Sequence, residues 1–149
     1  VDQLSQVGAA GWIPLIARRS VVDPRASKVD KLRRVAIASA KQCGRAHLMQ
    51  ITDPLPFAEA INVQADVRLF AAAEGRPYPG QSLAGTLAGA NKVLIYVGPE
   101  GGWTDEETRQ AIDAGCLPWR LVDPIMRVET AAVVGAATAN YLAKMDRAE

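Results

Sequence analysis

The run Val93-Leu94-Ile95-Tyr96-Val97, entered from Lys92, constrains this chain more than any other segment. Five consecutive apolar residues, rich in β-branched and aromatic types, predict a strand buried on both faces. Such strands belong to parallel sheets covered by helices on each side. Gly98-Pro99-Glu100-Gly101-Gly102 follows at once and predicts a turn. Thr104 and Glu107 then stand three apart, the spacing of a capping box, and predict a helix that runs to about Ala114 and stops at Gly115. Strand, glycine turn and helix in immediate succession make the repeating unit of an α/β domain.

The rest of the chain fits that class. Trp12 to Ala17 is a short apolar run that predicts a buried strand, and Pro14 within it requires an edge or a bend. Ser27, three residues before Asp30, resembles a capping start, and Val29, Leu32, Val35, Ala36 and Ala40 give helical spacing over 28–42, ended by Gly44. Residues 47–51 and 67–72 predict strands, and 56–63 a short helix. Residues 74–91 are rich in Gly, Pro and Ser and predict a long exposed loop. Trp119 to Val122 predicts a strand and Thr130 to Lys144 an Ala-rich helix, on which Gly135 and Ala139 leave a stripe open to close packing. The expected architecture is an α/β domain with a mostly parallel sheet flanked by helices.

At 149 residues, 49% of them apolar, the chain is long enough to bury one core. No apolar run approaches the roughly 20 residues of a membrane-spanning helix. Cys43 and Cys116 stand far apart and His47 is the single histidine, so no zinc spacing is present and a disulfide framework is not expected. Two unpaired thiols and the absence of a secretory pattern favour a reducing, cytoplasmic setting. His47, just before Leu48-Met49, reads as structural and not as a ligand or base.

Net charge is only +1, but it is unevenly placed. Between Arg18 and Arg45 nine basic residues (Arg18, Arg19, Arg25, Lys28, Lys31, Arg33, Arg34, Lys41, Arg45) face only Asp23 and Asp30. A block of that kind is the footprint of a polyanion partner, or else a solvated helix face. The glycine turn has the opposite character. Glu100, Asp105, Glu106 and Glu107 surround it, and neither a Walker A sequence nor GxGxxG is present, so a nucleotide-phosphate site is disfavoured. A neutral or cationic ligand suits that setting, and the sulfonium of S-adenosylmethionine is one. A second segment, Met126-Arg127-Val128-Glu129-Thr130, sets two charges among apolar neighbours at the entry to the last helix.

Taken together these segments resemble a known family. Val97-Gly98-Pro99-Glu100-Gly101-Gly102-Trp103 and Met126-Arg127-Val128-Glu129-Thr130-Ala131 are similar to the two signature segments of the RsmE family of ribosomal RNA methyltransferases, members of the SPOUT class. Ile13-Pro14-Leu15, Arg18-Arg19-Ser20-Val21-Val22 and Ala36 to Arg45 match in the same order. The resemblance implies a trefoil-knotted domain over residues 1–149, without the small N-terminal RNA-binding domain of the family. It implies S-adenosylmethionine held by Gly98, Pro99, Glu100, Gly101 and Gly102 together with Leu121, Val122, Ile125 and Met126. It also implies a homodimer, and methylation of a uridine at N3 in small-subunit ribosomal RNA. On this reading Arg127 stabilises the uracil oxyanion and Glu129 orients Arg127 or takes the proton. Arg18, Arg19, Lys31, Arg34, Lys41 and Arg45 hold the RNA, and no metal takes part.

The chain departs from the family pattern at Val122 and Pro124, where the family has Gly and Arg, and at Gln6-Val7-Gly8, where it has Glu before the glycine turn. Those departures support a rival reading, an RNA-binding homologue that has lost its cofactor. An unrelated α/β enzyme binding a sugar or amine at the acidic turn is the other rival, and the upstream matches count against it.

Overall fold

The structure, a computed structural model, describes residues 1–21, 26–72 and 80–145. Val22 of the upstream match and Arg25 of the basic block lie outside the described residues. A short helix α1 (Asp2–Gln6) opens the chain and buries Leu4 and Ser5. The expected strand over residues 12–17 is two strands, β1 (Gly11–Trp12) and β2 (Leu15–Ile16), because the chain changes partner at Pro14. β1 pairs in parallel with β3 (Gln50–Ile51) and β2 in parallel with β4 (Leu55–Pro56). Pro14 has no N–H to offer either ladder, but its carbonyl accepts from Leu55 N at 2.9 Å.

Helix α2 (Ala26–Gln42) begins before Ser27, so Ser27 stands within the helix and not at its cap, as the sequence had predicted. Gly44 takes φ +70° beyond its end, as a helix stop requires. The predicted helix over 56–63 is the single turn α3 (Phe57–Ala60).

A three-stranded parallel sheet forms the other half, in the order β6 (Val93–Val97), β5 (Val67–Ala71), β7 (Leu117–Trp119). Side chains alternate along β5 and β6 and fill two clusters. On one face Phe70 and Tyr96 pack with Phe57, Ala60 and Ile61 of the α3 region and Ala111 of α5 (Asp105–Asp113). On the other, Leu69 and Ile95 pack with Leu83 and Leu87 and with Ala139 of α6 (Val128–Met145). Leu83 and Leu87 lie on α4 (Gly80–Leu87), inside the stretch predicted to be an exposed loop. The i, i+4 leucine pair buries completely and holds a helix despite flanking Gly and Ser. β7 also starts earlier than predicted and includes Pro118, tolerated because β7 is an edge strand here. Leu121 and Val122 consequently lie in the loop beyond it.

All four strand pairings among the described residues are parallel and helices cover both faces of the larger sheet, as the sequence predicts for an α/β domain. α6 joins the halves. Ala132, Val133 and Ala136 pack against Leu4, Val29 and Met49 in the N-terminal half, and Gly135 and Ala139 lie against the larger sheet. Asn140 adds a hydrogen bond from Nδ2 to Val7 O at 2.8 Å.

Candidate functional site

β6 and β7 flank β5 and run parallel to it, so the segments that follow them, 98–104 and 120–127, leave the same edge of the sheet. This carboxyl edge is where open parallel sheets bind ligands. The two segments singled out in the sequence therefore start from one edge of the sheet.

The first of them is held from both sides by protein. Trp103 donates from Nε1 to Ala71 O at 2.9 Å, at the end of β5, and stacks on Phe70 with centroids 4.7 Å apart. A Cβ on Gly98 would come within 2.9 Å of that indole, and a Cβ on Gly101 within 2.9 Å of Arg19 Cβ. Gly102 takes φ +69° and donates to Pro99 O at 2.8 Å. Close packing by Trp103 and Arg19, and one left-handed backbone position, thus account for all three glycines.

α5 begins directly behind this turn with the predicted capping box. Thr104 Oγ1 accepts from Glu107 N at 3.2 Å, and Glu107 Oε2 accepts from Thr104 N at 2.9 Å. Glu107 is buried, and its Oε1 also accepts from Arg18 N at 2.8 Å, across 89 residues of sequence. Burial alone would raise its pKa. The hydrogen bonds from Arg18, from Thr104 N–H and from the Thr104 hydroxyl, with the Arg19 charge, outweigh burial and hold the carboxyl below its ordinary value. Glu106 is engaged by Arg109 and Gln110. Of the four carboxylates around the turn, Glu100 and Asp105 are left exposed and without a described side-chain partner.

The second segment is irregular and exposed. Val122 is 41% and Ile125 89% accessible, and Leu121 and Met126 are half-buried. No non-glycine residue among those described has positive φ, so Val122, where the resemblance leads one to expect glycine, follows an ordinary backbone path. Arg120 reaches Asp123 at 3.5 Å, while its buried Nε has no hydrogen-bond partner among the described residues. Arg127 and Glu129 are both exposed, Glu129 in the first turn of α6. No ion pair joins Arg127 and Glu129 among the described residues.

The basic residues divide into two groups. Arg19 Nη1 donates to Gly101 O at 3.0 Å and Trp103 O at 3.1 Å. Arg45 Nη1 donates to Ser5 O and Ala9 O, both at 2.8 Å, and ties down the end of α1. Arg33 bridges Asp30 and Asp53. Arg18, Lys28, Lys31, Arg34 and Lys41 are exposed and have no ion pair among the described residues. Lys31, Arg34 and Lys41 share one face of α2 by helical spacing. Cys43 is an exposed and Cys116 a buried free thiol, and His47 is exposed. Among the described residues no acidic, His or Cys group could hold a metal, and no helix is long and apolar enough to cross a membrane.

Comparison with known proteins decides the family. The model of the RNA methyltransferase domain matches residues 1–140. The chain belongs to this family. A relative from Synechocystis, named ribosomal RNA small subunit methyltransferase E, is 30% identical over 141 residues, 93% of this chain and 46% of the relative. The Bacillus subtilis protein of the same name is 26% identical and aligns with 100% of this chain and 62% of its own length. The chain therefore spans about half to three-fifths of these RNA methyltransferase relatives. Among solved structures, a Legionella pneumophila protein with bound SAM superposes with a TM-score of 0.83 at 26% identity, covering 94% of this chain and 58% of that one. A Neisseria gonorrhoeae methyltransferase E gives a TM-score of 0.81 at 24% identity, over 95% of this chain and 58% of its own, and establishes likeness of fold.

Proposed function

We propose that residues 1–149 form the methyltransferase domain of an S-adenosylmethionine-dependent enzyme that methylates N3 of a uridine in small-subunit ribosomal RNA. The observation that carries this reading is that segments 98–104 and 120–127 leave one carboxyl edge of the sheet, with Arg127 and Glu129 exposed at the end of the second. The names of the relatives and the cofactor bound in the Legionella structure support the substrate and cofactor classes. The class further implies a trefoil knot involving α6 and a homodimer. The exposed Ile125 and Tyr141, beside and on α6, are consistent with a second subunit there.

The residues present fit such a cofactor. Backbone groups of Gly98, Pro99, Glu100, Gly101 and Gly102 line one side, and Leu121, Val122, Ile125 and Met126 the other. Val122 and Ile125 offer apolar surface, and Arg120 Nε is a buried donor without a hydrogen-bond partner among the described residues. When bound, the cofactor supplies an electrophilic methyl group on a sulfonium sulfur. The chain must align uridine N3 with that methyl, so that the N–C bond forms as the S–C bond breaks. Arg127 stabilises the negative charge that spreads onto the uracil oxygen. Glu129 orients Arg127 or accepts the N3 proton, directly or through water. Arg18, Lys31, Arg34 and Lys41 hold the RNA backbone, with Arg19 and Arg45 adding charge from their engaged positions.

A second reading, an RNA-binding homologue without cofactor, draws on Val122 and Pro124. Calorimetric titration with S-adenosylmethionine and S-adenosylhomocysteine separates the two. Micromolar binding of either supports the enzyme, and no binding by the folded chain supports the rival. For the chemistry, Arg127→Ala should lower methyl transfer by about 100-fold or more with cofactor affinity nearly unchanged. Full turnover in that variant would remove Arg127 from the mechanism.

A further inference from the structure

The turn that follows β2 is docked on the glycine segment through contacts that no sequence spacing announces. Ala17 N donates to Ser20 Oγ and Ser20 N to Ala17 O, both at 3.1 Å, so the turn is closed on itself. Arg18 N is fixed by the buried Glu107 carboxylate. Next to it, the two N–H groups of Arg19 Nη1 donate to Gly101 O and Trp103 O. The aliphatic stem of Arg19 lies so close to Gly101 that the space for a Cβ there is already taken. Arg19 thus fixes two carbonyls on the outer side of the segment, while Trp103 fixes its inner side against Ala71 and Phe70.

We propose that Arg19 is a positioning residue of the cofactor site, setting the path of Gly98–Gly102 by its double donation to Gly101 and Trp103. This assigns Arg19 a task other than holding RNA. It rests on the cofactor reading above and adds the device that shapes the segment. Arginine suits the task because its charge persists across the working pH range and its fork presents two donors in fixed directions. A hydrogen bond from a charged donor is stronger than a neutral one, so losing both should let the segment leave its bound shape and weaken cofactor binding by about tenfold or more.

The test compares the unaltered chain with Arg19→Gln and Arg34→Gln. S-adenosylhomocysteine affinity is read by calorimetry, the three indole N–H resonances by NMR, and exchange of the Gly102 amide by hydrogen–deuterium exchange. In Arg19→Gln we expect about tenfold weaker binding, a shifted Trp103 indole and faster Gly102 exchange. Unmoved Trp12 and Trp119 resonances would report an intact fold. Arg34→Gln should leave all three readouts unchanged. Undiminished affinity in Arg19→Gln overturns the proposal, whether or not the segment loosens, because the claim is that its placement sets affinity. Equal losses in Arg34→Gln overturn it too, since general charge would then be the cause. If the unaltered chain does not bind the ligand, the cofactor reading falls. The indole and exchange data still decide the positioning role: a segment unchanged in Arg19→Gln ends it, and a loosened one sustains it.

Discussion

The carboxylate of Glu107 ties three parts of the chain together: the first turn of α5, the Thr104 cap and the backbone of Arg18. Its pKa in the folded protein lies below the ordinary glutamate value, because those donors and the Arg19 charge favour the ionised form more than burial opposes it. A depressed folded pKa adds stability above the unfolded pKa, and that stability disappears as pH falls through the folded pKa. Glu107→Gln should therefore destabilise the protein at pH 7 by about 1–3 kcal/mol, since an amide N–H₂ would face donors that now meet an oxygen. As pH falls through the depressed folded pKa the two proteins should converge. Urea midpoints followed from pH 7 into the acid range check this, and equal stability at pH 7 would show that the Arg18 link contributes nothing. The sequence made only part of this legible. Thr104 and Glu107 announce the capping box by spacing alone, but the bond to Arg18 depends on a turn 89 residues away. The glycines were similarly half-legible. Their clustering after a buried strand marks the segment, while the reasons for Gly98 and Gly101 lie in Trp103 and Arg19, which meet them only in three dimensions.

Gly135 shows how an element can be read from sequence with the right consequence and still leave the sign of a substitution to the structure. Small residues at 135 and 139 predict close approach by a neighbour, and α6 does lie against β6 and β7 there. A Cβ on Gly135 would nevertheless sit 3.6 Å from Ile95 and 3.7 Å from Leu121 and Trp119, which is ordinary contact. Gly135→Ala should thus gain helix propensity without a clash and stabilise the protein by up to about 1 kcal/mol. A lowered melting temperature would mean that α6 and the sheet already touch more tightly than these distances indicate. Elsewhere the sequence erred where tertiary contacts overrode local preference. α4 was hidden by Gly and Ser, and only the burial of Leu83 and Leu87 against Leu69 and Trp119 makes it a helix. Pro118 concealed the start of β7 because a proline in a strand is acceptable only at an edge, and edges are not visible in a sequence.

At the scale of the whole molecule, the alternation of strands and helices was legible because each crossover follows from local pattern, whereas the division into three separate sheets was not. That division leaves the N-terminal half joined to the larger sheet through α6, through Leu15 and Leu55 of β2 and β4 packed on the Phe57–Phe70–Tyr96 cluster, and through the Arg18–Arg19 turn on α5. The charge is also unevenly shared, since a chain of net charge +1 concentrates its excess of positive charge between residues 18 and 45. The structure divides that excess further. Arg19, Arg33 and Arg45 are engaged by carbonyls or carboxylates, while Lys31, Arg34 and Lys41 stand exposed along one face of α2. If that face meets RNA phosphates, each contact releases counterions and adds about 0.7 to the slope of log affinity against log salt for a single strand. Replacing Lys31, Arg34 and Lys41 together by Gln should then flatten the slope by about 2 and leave cofactor affinity untouched, because the three are exposed and make no side-chain hydrogen bond or ion pair to segment 98–104 or 120–127 among the described residues. Filter-binding titrations of a ribosomal RNA fragment over a range of salt would measure it. A slope that does not change would make this face of α2 an ordinary solvated surface and move the RNA contact to Arg18 and the loops around it.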